Sequence, residues 1–381
     1  MTSAMLTGAA RKAVEPATPA RVALVEFFGI GGTADYTDCL ARALAGRGIE
    51  VAVVTSSLFE PLLPDPPYEI VRPFVYTSAQ PKPRKAMQLA RALDPARDFL
   101  ERFRPDVVHA QGTVLPVIER FLYRGLATTT VCTVHDARAH ERRPWLGSFS
   151  GFYGGFDRLI CHSESTKQKV LVALPGARID VVPHGVYSPL ATALPDGAAA
   201  REQLQLPPRS RVALFFGFIR RYKGLDLFLD SLQVARAEGH DLIGLVAGRP
   251  LYDVGQRMER ARRDGVPVAW HLRFIPKEDI ATFFAAADVV ALPYVDTSDS
   301  GAFELAAAFR KPVVVTNAGG LAEAFARYGY GALVPERSAP AVAHALMGPY
   351  PPAPPPRGDN SWAAVAARTE ATYKEALAVR G

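Results

Sequence analysis

The chain has 381 residues, of which 49% are hydrophobic and 22% are charged, enough to bury the core of one large domain or of two ordinary ones. Its 44 basic and 38 acidic residues give a formal net charge of +6, a small excess that argues against a nucleic-acid binder. No apolar run approaches the roughly 18 residues that a membrane-spanning helix requires, so the sequence excludes an integral membrane protein.

The first 20 residues lack the continuous apolar segment of a signal peptide and predict a flexible tail. The three cysteines, Cys39, Cys132 and Cys161, lie far apart without a CxxC spacing, which argues against a disulfide framework and against a cysteine zinc site. We therefore expect a protein of the reducing cytoplasm.

The first half of the chain alternates short β-branched runs with longer stretches of helical period, the pattern of βαβ units around a parallel sheet. Most of the short runs are apolar throughout, as strands buried on both faces are. They predict strands at 22–27, 50–55, 107–110, 129–134, 158–161 and 180–182.

Within this half, segment 82–104 concentrates positive charge on a predicted helix. The favoured interpretation is a solvated helical face. The alternative is a weak peripheral contact with anionic lipid at the inner membrane face, or with an acidic acceptor.

A Pro- and Ala-rich stretch, 188–210, interrupts the alternating pattern. The pattern then resumes with predicted strands at 212–216, 241–247, 269–274, 289–293 and 312–316. This repetition predicts two doubly wound domains of similar size, 21–190 and 208–348, joined by a linker. The fold class is therefore α/β.

A proline run between residues 349 and 356 follows the second domain and predicts an extended, semi-rigid spacer. A helix is predicted from about residue 361, with an apolar stripe that must pack on another element. An extended spacer of this length can carry the helix back to the first domain. The stripe consists of Trp362, Val365, Ala366, Thr369, Tyr373 and Leu377.

The first predicted strand runs into a glycine-rich turn that contains Gly31 and Gly32. The turn only partly matches a dinucleotide-binding fingerprint, because the next strand ends in Thr55 and Ser56 rather than in an acidic residue. The glycines still allow the backbone to approach a phosphate or a sugar closely.

His135 closes a strand of the first domain, where a histidine can hydrogen-bond a sugar hydroxyl or a developing charge. A packed or capped histidine is the alternative, and it is the favoured interpretation for His109, His162 and His184. His135 and His140 do not have the HExxH spacing, so no zinc site is predicted.

The first strand of the second domain runs into a glycine-bounded turn, 217–224, that contains Arg220, Arg221 and Lys223. Basic groups at the carboxyl end of a parallel strand suit an anionic ligand in the crevice where such sheets bind ligands. Arg221 is expected to face solvent.

After the predicted strand 289–293, Ser300 is typical of a helix N-cap and Gly301 opens the helix. The unpaired amides of that helix start can hold a diphosphate. Glu304 lies one turn further on, where its carboxylate can accept hydrogen bonds from a ribose diol. The alternative is an ordinary capped helix with an exposed Glu304.

Taken together, these motifs resemble those of the retaining GT-B glycosyltransferases of family 4, in the same order along the chain. The family's most specific mark, E-x7-E, is matched by Asp296 and Glu304, with Asp in place of the first Glu. Its G-R-x4-K-G pattern is matched by 217–224 with Phe218 at the usual place of Arg, which leaves Arg220 and Lys223.

The resemblance implies two Rossmann-like domains that face a cleft, with the C-terminal helix 361–381 crossing back to the first domain. It implies that Glu304 holds the donor ribose and that Asp296 lies near the hydroxyls of the donor sugar. Phe274 and Ile275 match the loop that borders the nucleotide base.

The same resemblance places Gly31 and Gly32 against the donor phosphate and the acceptor, and His135 close to the transferred sugar. Such enzymes are thought to retain anomeric configuration by front-face substitution, without a protein nucleophile. The leaving diphosphate accepts the acceptor's proton while Arg220, Lys223 and the helix amides stabilise its growing charge.

The implied activity is a retaining hexosyltransferase that uses a nucleotide-sugar as co-substrate, with UDP as the favoured base. No cofactor is expected, and no metal site, because the sequence has no P-loop and no DxD triplet placed to hold a metal-nucleotide pair. The acceptor stays open among a glycan, a lipid-linked molecule and a small natural product.

Two other functions remain open. A GT-B sugar-nucleotide epimerase would need acid and base groups in the cleft, for which only His135, Asp136 and Glu141 offer themselves. A non-catalytic subunit would bind the nucleotide-sugar without turning it over, so hydrolysis of the donor distinguishes it from the transferase.

Overall fold

A computed structural model describes residues 18–75, 82–113, 115–137, 149–191, 194–353 and 360–380. The described part of the first half forms a parallel sheet of seven strands in the order β3-β2-β1-β4-β5-β6-β7. Its strands are β1 (Arg21–Val25), β2 (Glu50–Ser56), β3 (Glu69–Phe74), β4 (Val107–Gln111), β5 (Thr129–Thr133), β6 (Arg158–Cys161) and β7 (Ile179–Val181).

The second half forms a parallel sheet of six strands in the order β10-β9-β8-β11-β12-β13. Its strands are β8 (Arg211–Phe216), β9 (Leu242–Ala247), β10 (Val268–His271), β11 (Val289–Leu292), β12 (Val313–Thr316) and β13 (Gly331–Val334). Two Rossmann-like sheets with alternating helices confirm the predicted α/β fold class.

Helices connect the strands on both faces of each sheet. They are α1 (Gly32–Ala45), α2 (Lys82–Phe103), α3 (Pro116–Tyr123), α4 (Phe149–Tyr153), α5 (Glu164–Ala173), α6 (Gly197–Gln203), α7 (Leu225–Ala237), α8 (Gly255–Arg263), α9 (Lys277–Ala286), α10 (Gly301–Ala308), α11 (Leu321–Tyr328), α12 (Ala339–Met347) and α13 (Trp362–Arg380). None of the described helices is long and apolar enough to cross a membrane.

The central strands are buried along their whole length, as their continuous apolar sequences predict. The sequence pattern does not predict β3 and β13, which lie at sheet edges and are only partly buried. Edge strands carry polar residues and breaks such as Pro73 and Gly331, so their apolar signature is weak.

One predicted strand boundary is wrong. The strand predicted at 269–274 ends at His271, because the amide of Arg273 turns back to donate to the His271 carbonyl at 2.9 Å. The predicted linker, 188–210, contains a short helix, α6, which is capped by Asp196 and packs on α9.

The predicted flexible tail lies mostly outside the described residues. At its end, however, Ala20 is ordered, since its amide donates to Asp106 at 2.7 Å and its carbonyl accepts from Glu50 at 2.8 Å.

The last helix, α13, crosses back to the first sheet, as predicted, and packs on α1, β5 and β6. Its stripe residues Val365, Ala366 and Tyr373 are at most 1% exposed. An ion pair of 2.6 Å between Arg47 and Glu370 ties the helix to the end of α1. Residues 354–359, which include the last three prolines of the predicted spacer, lie outside the described residues.

Candidate functional site

The predicted site residues follow the carboxyl ends of strands in both sheets, and these two rims face each other. Phe218, after β8, would lie 3.6 Å from a β-carbon at Gly31, after β1. Ser298, after β11, accepts a hydrogen bond at 2.8 Å from the amide of Ala137, after β5. The site is thus a cleft between two switch-point edges, where open α/β sheets bind ligands.

The start of α10 has the predicted geometry. The Ser300 hydroxyl caps the helix by accepting from the amide of Phe303 at 3.2 Å, and Gly301 is the first helical residue. The first amides of the helix lie at the positive end of its dipole. Because Gly301 has no side chain, nothing on that residue blocks an anion that approaches them.

Glu304 is 1% exposed, which rules out the alternative of an exposed side chain. Burial raises its pKa well above the ordinary value, and the neighbouring Asp299 carboxylate raises it further. Within the described part of the chain, its Oε2 has no hydrogen-bond partner. A buried carboxyl oxygen without a partner is costly, so a hydrogen-bond donor that reached this atom would be stabilising.

Asp299 itself is held charged. Burial alone would raise its pKa, but His184, His162 and the backbone amide of Ser300 outweigh burial and lower it. His184 Nε2 lies 3.6 Å from the Asp299 carboxylate. Asp299 and Glu304 therefore form a pair of acidic groups in which one is ionised and the other resists ionisation.

Glu26, a residue that the sequence analysis did not identify, stabilises the glycine turn after β1 through hydrogen bonds. Its buried carboxylate accepts from the amides of Phe28 at 2.8 Å and Gly29 at 2.7 Å, and from the Thr55 hydroxyl at 2.9 Å. Burial raises the pKa of Glu26 to about 7. A charged residue inside an apolar strand is the sequence signal that could have found it.

Tyr187 fills the space between the two predicted phosphate-binding elements. Its hydroxyl donates to the Gly32 carbonyl at 2.9 Å, and a β-carbon at Gly301 would lie 3.7 Å from its ring. The phenol therefore touches both the glycine turn of one domain and the start of α10 in the other.

His135 belongs to a cluster of histidines at the rim of the first sheet. The ring of Tyr36 lies at the centre, with its centroid 4.8 Å from His135, 5.1 Å from His162 and 5.0 Å from His184. In the described residues, no group of His, Cys, Asp or Glu side chains is arranged to hold a metal ion.

Hydrogen bonds fix the tautomers in this cluster. His162 Nδ1 donates to the Val182 carbonyl at 2.9 Å, and burial lowers the pKa of His162 to about 4, so its Nε2 accepts from His135 Nδ1 at 3.2 Å. His135 Nε2, which burial keeps neutral, then needs a donor. The Gln111 amide supplies one if its NH2 group, rather than its oxygen, faces the ring at 3.2 Å.

His109 lies deeper and joins the cluster to α13. Its Nδ1 is 2.7 Å from the Tyr373 hydroxyl, and its Nε2 is 2.7 Å from the Thr133 hydroxyl. Trp362 at the start of α13 stacks edge-on against Tyr36 and donates to the Val186 carbonyl at 2.8 Å. Contacts from α13 thus hold the histidine cluster in position.

The basic turn after β8 is built around Lys223. Its ammonium donates to the Phe216 carbonyl at 3.2 Å and lies 5.4 Å from the centre of the Tyr294 ring. Gly224 has φ +74°, and a β-carbon there would lie 2.0 Å from the Pro293 carbonyl oxygen, so only glycine fits. Arg220 precedes this turn and is half-buried, whereas Arg221 is exposed, as predicted.

Asp296 is paired across the domains. Its carboxylate accepts from the ammonium of Lys169 on α5 at 2.6 Å. On the same helix, the amides of Glu164 and Ser165 both donate to the Glu323 carboxylate of the second domain at 2.8 Å. The sequence analysis identified neither Lys169 nor Glu323, because partners so distant in sequence leave no local pattern.

Phe274 and Ile275 lie in the loop after β10 rather than in a strand. Phe274 is 43% exposed and its ring centre lies 6.1 Å from that of Phe218, whereas Ile275 is buried in the core of the second domain. Of the groups considered for an epimerase, Asp136 is exposed, and Glu141 lies outside the described residues, as does His140.

Both halves of the chain match known protein families. Residues 30–188 match the family described as Glycosyltransferase Family 4, and residues 210–348 match the family described as Glycosyl transferases group 1. A D-inositol 3-phosphate glycosyltransferase of Pseudarthrobacter chlorophenolicus is 27% identical over 80% of this chain and 78% of that protein.

The D-inositol 3-phosphate glycosyltransferase of Jonesia denitrificans is 34% identical over 36% of this chain, and the match spans only 34% of that protein. Among solved structures, Anabaena HepE in complex with UDP and glucose is similar, with a TM-score of 0.63 and 18% identity over 94% of this chain and 96% of that chain. At this identity the likeness shows the GT-B fold alone.

Proposed function

The chain belongs to glycosyltransferase family 4 and has the GT-B fold, and on this premise we propose that it moves a hexosyl group from a UDP-sugar to an acceptor hydroxyl with retention of anomeric configuration. The observation that carries the proposal is the buried Oε2 of Glu304, which has no partner in the described residues and stands one turn inside α10. A ribose diol supplies the two hydroxyl donors that this carboxylate can accept.

The donor diphosphate lies, in this proposal, against the start of α10 and the turn after β8. The amides after Ser300 and the ammonium of Lys223 offer donors there. The Tyr187 hydroxyl, which now donates to Gly32, turns to a phosphate oxygen when the donor enters. The nucleotide base extends toward Phe274 and Ile275.

Transfer then needs no protein nucleophile. The bond between the anomeric carbon and the diphosphate oxygen breaks, the acceptor oxygen bonds to the same face of that carbon, and the acceptor proton passes to the leaving diphosphate. Lys223, Arg220 and the helix amides stabilise the charge that grows on the leaving group. No cofactor takes part in these steps.

Asp296 and His135 flank the transferred sugar in this proposal. The Asp296 carboxylate pairs with Lys169 in partly exposed surroundings, where it can also accept from a sugar hydroxyl. His135 is neutral because burial lowers its pKa, so it polarises or positions a hydroxyl without adding positive charge.

The curated relatives are named for D-inositol 3-phosphate, and UDP is present in the HepE structure. These names make an inositol phosphate the first acceptor to test and UDP the first base. The segment 82–104 forms α2 with exposed Arg84, Met87 and Arg91, so weak contact with a membrane surface from the cytoplasm stays part of the proposal for a lipid-linked acceptor.

A thermal-shift screen of UDP-, GDP-, dTDP- and ADP-sugars in EDTA tests the proposal, since a ligand that binds the native state raises its midpoint. We expect one UDP-sugar to shift wild type and not Glu304→Ala. Slow hydrolysis of that donor separates an enzyme from a non-catalytic subunit. No shift with any donor would contradict the proposed function.

A further inference from the structure

Three side chains of the second domain form one patch above the end of β9: Phe218, Arg249 and Phe274. Because β9 lies between β8 and β10 in the sheet, Arg249 at its end stands between the turn that carries Phe218 and the loop that carries Phe274. The two rings are 6.1 Å apart between centres, and the Arg249 guanidinium carbon lies 5.5 Å from the centre of the Phe218 ring.

The backbone holds this patch rigidly. The amide of Ile219 donates to the Arg249 carbonyl and the amide of Leu251 donates back to the Ile219 carbonyl, both at 3.0 Å. A β-carbon at Gly248 would lie 2.0 Å from the Gly217 carbonyl oxygen, so the two turns are in direct backbone contact. Arg249 is thus preorganised rather than carried on a loose loop.

Arg249 makes different contacts from two other arginines of the second domain, Arg201 and Arg257. Arg201 pairs with Asp288 at 2.7 Å and Arg257 pairs with Asp226 at 2.8 Å. In the described part of the chain, the Arg249 guanidinium makes no ion pair or hydrogen bond, and its contact is the face of the Phe218 ring. A ring face orients the guanidinium but leaves its five N–H donors available.

The patch also opens onto the cleft. Phe218 stands against the glycine turn of the first domain, 3.6 Å from the β-carbon position of Gly31, and the Phe274 ring is 43% exposed. Two aromatic faces and one planar donor group suit a flat ligand that carries hydrogen-bond acceptors on its edge.

We propose that Phe218, Phe274 and Arg249 recognise the base of the nucleotide donor, and that Arg249 selects a base with a keto oxygen. This inference rests on the proposed function. Uracil, thymine and guanine each present a keto oxygen to the guanidinium, whereas adenine presents an amino group, a second donor that cannot pair with it. Phe218 serves as the platform that orients Arg249.

Calorimetric titration of UDP, GDP and ADP into wild type, Arg249→Ala and Arg249→Lys tests the proposal. We expect UDP or GDP to bind more tightly than ADP, and Arg249→Ala to reduce that preference roughly tenfold, the effect of one base contact. Arg249→Lys keeps the charge without the planar fork and recovers the preference only in part.

Arg221→Ala is the matched control, because Arg221 also lies over a ring, that of Tyr252 at 4.9 Å, but is exposed. We expect it to leave the preference unchanged. An equal weakening of all three nucleotides in Arg249→Ala would assign Arg249 to the diphosphate and overturn the inference. So would a wild type that prefers ADP. If wild type binds none of the three, it is the proposed donor site that fails.

Discussion

The rims of the two sheets face the same cleft but differ in how their polar groups are satisfied. At the first rim, His135, His162 and His109 hydrogen-bond to one another, to backbone carbonyls or to neighbouring side chains. At the second rim, Glu304 keeps an oxygen without a partner in the described residues, and Arg249 rests on a ring. In the described residues the first rim also leaves buried atoms without a partner, Tyr36 Oη and Gln111 Nε2, but the second rim leaves an oxygen of an acidic group, which can accept from the hydroxyls of the proposed donor.

The pKa shifts follow the same division. Burial lowers the pKa of His109 to about 3 and that of His162 to about 4, so both imidazoles are neutral near pH 7. Burial raises the pKa of Glu304 well above its ordinary value, and in the described residues its Oε2 has no hydrogen-bond partner. The first rim therefore buries neutral imidazoles, whereas the second rim buries a carboxyl group that resists ionisation.

The largest expected effect is at Glu304. Glu304→Ala removes the acceptor for the ribose diol, and we expect donor affinity to fall about a hundredfold, the loss of two hydrogen bonds. The free energy of unfolding is expected to change little, because an unfavourably buried carboxyl is removed together with its packing. Calorimetry with the donor and denaturant unfolding measure the two quantities.

Glu304→Gln keeps the volume and tests the charge, and Glu278→Ala on α9 is a surface control. Wild-type donor affinity in Glu304→Ala would place the ribose elsewhere and remove the distinction between the two rims.

Lys223→Ala removes the ammonium proposed to stabilise the leaving diphosphate. We expect kcat to fall about a hundredfold or more, since the charge develops in the transition state, with a smaller change in donor affinity. Steady-state kinetics and a thermal midpoint measured on the same preparation separate catalysis from stability. Unchanged turnover would remove Lys223 from the site.

The pH dependence of the free energy of unfolding tests whether the buried His109 of the first rim is neutral. The pKa of His109 is about 3 in the folded chain against an ordinary 6.5, so below pH 6.5 the unfolded chain binds a proton that the folded chain does not. This term lowers stability as the pH falls from 6.5 toward 3. His109→Gln abolishes it, so the variant is expected to lose less stability on acidification, by up to about 1.4 kcal/mol per pH unit.

Urea unfolding of both proteins at about pH 7 and about pH 5 measures this difference in slope. Equal slopes would mean that His109 is already protonated in the fold, and the first rim would then carry charge.

The smallest expected effect is at the ion pair that Lys169 of the first domain makes with Asp296 of the second domain. Lys169→Ala breaks the ion pair with Asp296, which is partly exposed, so we expect a stability loss below about 1 kcal/mol. If Asp296 contacts the donor sugar, KM for the donor rises several-fold, while Lys167→Ala, two residues away on α5, changes nothing. Identical kinetics in both variants would reduce this ion pair to a domain contact.

Parts of the site were predictable because their signals are local. The cap at Ser300 and the glycine at Gly301 are adjacent residues with a known preference, and the structure has the helix start they predict. The stripe on α13 predicted its packing for the same reason. Edge strands β3 and β13 were missed because their sequences lack a continuous apolar signature.

Other parts were not predictable from any pattern near them. The Lys169 to Asp296 pair joins residues 127 positions apart, and the hydrogen bond from the Thr55 hydroxyl on β2 to Glu26 joins residues 29 positions apart. His109, His162 and His184 are ordinary strand-end histidines in sequence, and they become a cluster because parallel strands end at one edge.

The sequence by itself determined the α/β class, the return of the last helix and the residue types at each strand end, because hydrophobic period and turn chemistry act over a few residues. Only the tertiary structure decided which of those residues are satisfied. Whether a carboxylate such as Glu304 is buried without a partner, or a guanidinium such as Arg249 lies on a ring, depends on what the fold brings beside it.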